Sequence, residues 1–127
     1  YYIRYVDDFV ILHKSKKQLE FWKEQINEFL EEKLKIGLHK QKSRIIPLKR
    51  GVDFVGFINF YKYRLLRKRN IRNMKRKVDL YAKGIIGFNS IKESYQGWQA
   101  YSKWADTYKI KKEIRKSIIN GFKLINN

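Results

Sequence analysis

The sequence predicts an α+β fold in which short antiparallel strands come first and helices follow. Three observations carry that expectation. Residues 1–12 and 52–66 are rich in β-branched and aromatic side chains, which suit a pleated, half-buried surface. Between them, apolar residues recur at helical spacing behind a capping signal. From Arg67 onward the β-favouring alternation stops and helical spacing takes over.

Taken in order, residues 1–12 read as a β-hairpin, with Asp7-Asp8 at the turn between two apolar runs. Ser15-x-x-Gln18 is a capping box, and Leu19, Trp22, Ile26, Phe29 or Leu30, and Leu34 form the apolar stripe of an amphipathic helix. Gly37 is its expected C-cap. Residues 44–48 read as a short strand, which Pro47 confines to an edge or to a strand end. Residues 52–61 read as one strand interrupted at Gly56, with 63–66 pairing to it after a turn at Tyr61-Lys62. A helix is expected over about 70–86. Ser90-x-x-Glu93 is a second capping box, opening a helix whose face carries Ile91, Tyr95, Trp98 and Ala105 with Tyr101 or Ser102, and a last helix spans about 109–124. The composition shift near Arg67 divides the chain into 1–66 and 67–127, and no internal repeat is evident.

With 127 residues the chain is one domain or a part of one, and 43 % hydrophobic with 16 % aromatic residues is enough apolar surface to fold. Thirty Lys and Arg against 12 Asp and Glu leave a net charge of +18, with an isoelectric point near 10.1. Such self-repulsion is best relieved beside a polyanion, so nucleic acid is the leading partner. The absence of cysteine removes disulfides, thiolate metal sites and thiol nucleophiles together. No apolar run approaches a membrane span, and two Asp interrupt the apolar N-terminal stretch, so a cytoplasmic protein without a membrane partner is expected. Because the sequence opens at Tyr1 directly in strand-like residues, a C-terminal fragment of a longer protein is expected.

Adjacent carboxylates in an apolar hairpin repel each other unless a cation offsets their charge. Mg²⁺ prefers carboxylate oxygens, keeps substrate phosphates as further ligands, and in pairs serves in-line phosphoryl transfer. Asp7 and Asp8 suit that role, and Asp-Asp equally suits ordinary turn chemistry. His13 and His39 lack other ligating residues at metal-site spacing and read as structural or surface residues.

The flanks add to this reading. Tyr5-Val6-Asp7-Asp8, with Arg4 before it and Phe9-Val10-Ile11-Leu12 after it, resembles the YxDD hairpin of reverse transcriptases of the group II intron, retron and diversity-generating retroelement branch. Gly37-Leu38-His39-Lys40-Gln41-Lys42-Ser43-Arg44-Ile45 resembles that family's next motif, and Gly51-Val52-Asp53-Phe54-Val55-Gly56-Phe57 resembles its primer-grip motif. Three motifs in family order are a specific signal, and they cover about the first 70 residues.

The resemblance implies part of a polymerase palm in 1–66 and a helical thumb in 67–127. It implies RNA-templated DNA synthesis from deoxynucleotides, with Asp7 and Asp8 holding Mg²⁺ and Tyr5 near the primer end. Lys42 is then near the leaving pyrophosphate, and Phe54, Val55, Gly56 and Phe57 position the primer. A cation can stabilise a departing phosphate, and glycine admits close backbone approach, so the chemistry agrees. The expected partners are an RNA template, a DNA primer and the fingers and palm segment of the same protein. That segment would supply another catalytic Asp, so the chain alone is expected to be inactive. Its absence would leave the hairpin edge and the stripe of the first helix partly uncovered.

A second constellation is electrostatic. Lys62, Arg64, Arg67, Lys68, Arg69, Arg72, Lys75, Arg76 and Lys77 form a run of nine cations without an acid, beside Tyr61 and Tyr63. Solvated helix faces usually mix signs, so the run reads as a track for a phosphate backbone. Two functions therefore stand: a nucleotidyltransferase fragment, and a non-catalytic basic nucleic-acid-binding module.

Overall fold

The computed structural model describes residues 1–125. It is an α+β chain of two compact units, the first Tyr1–Arg50 and the second beginning at Gly51.

In the first unit, strands β1 (Tyr2–Tyr5) and β2 (Asp8–Ile11) pair antiparallel, with Tyr5 opposite Asp8 and Tyr2 opposite Ile11. The backbone of Tyr1 and Leu12 extends the ladder by two further hydrogen bonds, of 2.8 and 2.9 Å. Helix α1 (Lys16–Phe29) starts where the sequence predicts: the Ser15 hydroxyl accepts from the backbone N–H of Gln18 at 3.3 Å. Gln18 does not complete the reciprocal box, because the Ser15 N–H donates instead to Nδ1 of His13 at 3.1 Å. The expected C-cap at Gly37 is not formed. The helix widens into a π-turn, Leu30–Leu34, and ends at Lys35 with a left-handed φ of 56°. Asn27 secures this end, donating to Glu31 and accepting from the Leu38 N–H.

The strand expected over 44–48 is also absent among the described residues. Pro47 offers no N–H to a ladder, and its carbonyl instead accepts from Arg50 across a 3-10 turn, Leu48–Arg50. No described residue of 1–50 is buried.

The second unit opens with the sheet β3 (Val52–Phe54), β4 (Phe57–Asn59) and β5 (Arg64–Leu66), antiparallel in that order. The single interrupted strand expected over 52–61 is therefore a hairpin. Val55 and Gly56 both take positive φ, 49° and 86°, the signature of a two-residue turn that folds the chain back on itself. The pairing of 63–66 with the preceding strand holds, Leu66 lying opposite Phe57.

Helices α2 (Lys68–Ala82), α3 (Phe88–Ser102) and α4 (Tyr108–Ile125) follow. Strand gives way to helix at Leu66–Lys68, where the composition shifts, yet the compact units divide at Arg50–Gly51. The reason is the core: Phe57 and Leu66 of the sheet are buried with Met74, Val78 and Tyr81 of α2, Ile91 and Trp98 of α3, and Ile114 of α4.

Ser90 does not cap α3. The cap is Gly87, with Ser90 inside the first turn. The earlier start places Phe88 against Tyr81 and Phe122, at ring distances of 6.3 and 5.5 Å, an aromatic gain that outweighs a surface serine cap. Two polar ties close the unit: Trp98 Nε1 donates to Asn70 at 2.7 Å, and the Tyr101 hydroxyl donates to the Gly56 carbonyl at 3.1 Å.

Candidate nucleic-acid interface

The first hairpin turns in two residues, Val6 and Asp7, so Asp7 sits at the tip and Asp8 begins β2 beside Tyr5. Val6 has a φ of 53°, a conformation that β-branched side chains avoid at a cost of about 1–2 kcal/mol. The ladder on either side holds it there, together with Arg4, whose Nε donates to the Val6 carbonyl at 2.8 Å. Arg4 is thereby directed at the backbone of the turn. Among the described residues neither Asp7 nor Asp8 forms an ion pair, and both are exposed. The donor set is two carboxylates, the oxygen ligands that Mg²⁺ prefers. No third His, Asp or Glu joins them in a metal-binding group among the described residues.

Lys42 is exposed in a turn whose backbone closes on His39, 3.1 Å from the Lys42 N–H to the His39 carbonyl. It shares no ion pair with Asp7 or Asp8. The two histidines are exposed, each accepting a backbone N–H two residues ahead, from Ser15 and from Gln41.

Residues 54–57 form the turn and closing pair of the β3–β4 hairpin. Phe57 is buried in the core, stacked on Tyr101 at 4.9 Å, with the Arg64 guanidinium 5.7 Å above its ring. Phe54 is half-buried, while Val55 is exposed at the tip. Gly56 has no room for a side chain: a Cβ there would collide with the Tyr101 hydroxyl.

The basic run divides by helix geometry. Met74, Val78 and Tyr81 point α2 at the core, and at 100° per residue Arg69, Arg72 and Arg76 fall on the opposite, solvent side. Lys75 and Lys77 lie on the two flanks, where Lys75 meets Glu113 of α4 at 2.6 Å and Lys77 meets the Ser94 hydroxyl of α3 at 2.9 Å. Arg67 is held by Asp53, with nitrogens 2.6 and 2.7 Å from the same carboxylate oxygen. The run without acids in sequence thus acquires two acids in space, and sequence reasoning missed both Asp53 and Glu113. Lys62, Arg64, Lys68, Arg69, Arg72 and Arg76 remain without an ion pair among the described residues. Lys62 lies in the β4–β5 turn beside Tyr61, which is 82 % exposed.

No described helix is long and apolar enough to cross a membrane. No family model matches the chain. Over 70 residues, 54 % of the chain, it is 39 % identical to protein YkfC of Escherichia coli strain K12. Over 57 residues, 44 % of the chain, it is 39 % identical to the group II intron-encoded protein LtrA of Lactococcus lactis subsp. cremoris, and strain MG1363 gives the same figures. The matches span 17 % of the length of YkfC and 10 % of that of LtrA. The likeness is partial, and it relates the chain loosely to the group II intron-encoded proteins.

Proposed function

We propose that the chain is part of an RNA-directed DNA polymerase, with 1–66 belonging to its palm and 67–127 to its thumb. One observation carries this reading: Tyr5-Val6-Asp7-Asp8 folds as a tight hairpin whose two carboxylates stand exposed and unpaired beside Tyr5. The partial likeness to LtrA, an intron-encoded protein, supports the same branch of the family. In this reading Asp7 and Asp8 hold Mg²⁺, which when bound offsets negative charge on the transferring phosphoryl group. Tyr5 lies by the primer end, Lys42 stabilises the departing pyrophosphate, and the turn at Val55-Gly56 orients the primer. The outer face of α2 follows the phosphate backbone of the template–primer duplex. The substrates are deoxynucleotides, a DNA primer and an RNA template.

The test is primer extension on an RNA template by the longer protein that carries this chain. Asp7→Asn and Asp8→Asn should each abolish Mg²⁺-dependent synthesis, and extension at a near wild-type rate by either would refute the assignment.

A non-catalytic nucleic-acid-binding module is the second reading, favoured by the lack of a third ligand beside Asp7 and Asp8 among the described residues. It predicts salt-sensitive binding with no synthesis, in the unmodified longer protein as well.

A further inference from the structure

A groove of about 700 Å³ runs between α3 and α4. Helix α4 lines it with Tyr108, Lys111, Lys112 and Arg115, residues at i, i+3, i+4 and i+7 that share one helix face. Helix α3 answers with the same spacing, presenting Lys92 followed by Tyr95, Gln96 and Gln99. The groove wall therefore holds four cations and no carboxylate. Lys111 is half-buried there without an ion pair among the described residues, and Glu113, the acid nearest in sequence on α4, is turned away to Lys75.

Cations gathered without counter-charge repel one another, which marks a place where a polyanion lowers the energy. The remaining lining says which kind. Tyrosine faces accept stacked bases, and the amides of Gln96 and Gln99 offer both donors and acceptors to base edges. In a duplex the faces are occupied by neighbouring bases and the Watson–Crick edges by pairing, whereas a single strand presents both. The solvent face of α2, by contrast, carries Arg69, Arg72 and Arg76 and no aromatic residue, which suits a backbone alone.

We infer that the α3–α4 groove is a second nucleic-acid site, which takes an unpaired strand by stacking on Tyr108 and neutralising its phosphates with Lys92, Lys111, Lys112 and Arg115. The inference is scored by binding alone and does not depend on the polymerase reading.

The experiment compares the affinity of the whole chain for a labelled oligouridine of about 12 nucleotides and for an RNA duplex of about the same length. Tyr108 is 76 % exposed, so Tyr108→Ala leaves the fold intact, as helical circular dichroism will verify. It should weaken oligouridine about tenfold, the scale of one lost base stack, and leave the duplex within about twofold. Lys112→Gln with Arg115→Gln, both exposed, should flatten the salt dependence of oligouridine binding by about 1.4, at roughly 0.7 per contact. Equal losses for both ligands in Tyr108→Ala, or no loss for either, would overturn the inference. So would inorganic polyphosphate displacing oligouridine from wild type and Tyr108→Ala equally well, because the groove would then read charge and not bases.

Discussion

Residues 1–50 and the unit that begins at Gly51 solve opposite problems. The first holds Asp7, Asp8 and Lys42, yet none of its described residues is buried, and Phe29 and Leu34 at the end of the α1 stripe are each 56 % exposed. The second buries Ile91 completely and Ile114 almost so, drawing one core from a sheet and three helices. Leu19, Trp22, Ile26 and Leu30 of that stripe are half-buried, and a stripe covered only in part adds less to stability in water, because burial against another surface is what stabilises an amphipathic helix. The residues proposed for chemistry thus lie in the unit with no interior of its own, and the cations proposed for binding lie in the unit that has one.

Substitution at matched apolar positions is the strongest way to break this contrast. Ile91→Ala should cost about 2–5 kcal/mol, by lost transfer energy and a residual cavity. Phe29→Ala should change stability by no more than about 0.5 kcal/mol, the range of exposed positions. Urea denaturation followed by circular dichroism measures both, and comparable costs would show that Phe29 is covered as well.

A smaller effect is expected inside the second unit. Gly56→Ala places a Cβ at a φ of 86° and against the Tyr101 hydroxyl. It should cost about 1–2 kcal/mol from the backbone alone, with a further loss if the bond to Tyr101 breaks. Retained stability would mean that the turn at 55–56 is free to relax.

The two serines sharpen the account at the scale of single caps. Ser15→Ala should lower the stability of α1 by about 1 kcal/mol, whereas Ser90→Ala, already within a helical turn, should fall within about 0.5 kcal/mol. Helicity measured over a urea series separates them, and the reverse order would contradict the caps described above.

That pair of serines also shows what the sequence can and cannot tell. Both segments fit the Ser-x-x-Glu/Gln pattern, but only Ser15 has no competing start upstream; at Ser90 the aromatic packing of Phe88 pulls the helix three residues earlier. Local patterns identified the helices and the hairpin of residues 1–12, though its turn falls at Val6-Asp7 and not at Asp7-Asp8, because turn residues and apolar periodicity act over a few residues. They failed at 44–48, where Pro47 offers no N–H to a ladder, and at 52–61, where Val55, a β-favouring residue, sits in a turn. The α3–α4 groove was illegible for a similar reason. Its charges are spread along 92–115, and only the apposition of two helices gathers them. In the basic run the sequence located the cations but could not show that Asp53 and Glu113 return to neutralise Arg67 and Lys75.

The salt dependence of duplex binding refines the division of that run. Replacing Arg69, Arg72 and Arg76 by Gln should flatten the slope by up to about 2.7, at roughly 0.9 per phosphate contact. Replacing Lys16, Lys17, Lys23 and Lys33, all exposed in the first unit, should leave it nearly unchanged. Equal changes would reduce the α2 face to generic charge.

If chemistry resides in the first unit and grip in the second, synthesis and duplex affinity, measured on the same preparations of the proposed full-length polymerase, should respond to different variants. Asp7→Asn should abolish Mg²⁺-dependent extension while leaving affinity within about twofold, since it removes a proposed metal ligand and no phosphate contact. The triple Gln variant at Arg69, Arg72 and Arg76 should weaken affinity and preserve extension once the template–primer is saturating. Loss of affinity in Asp7→Asn, or extension surviving in it, would contradict the account.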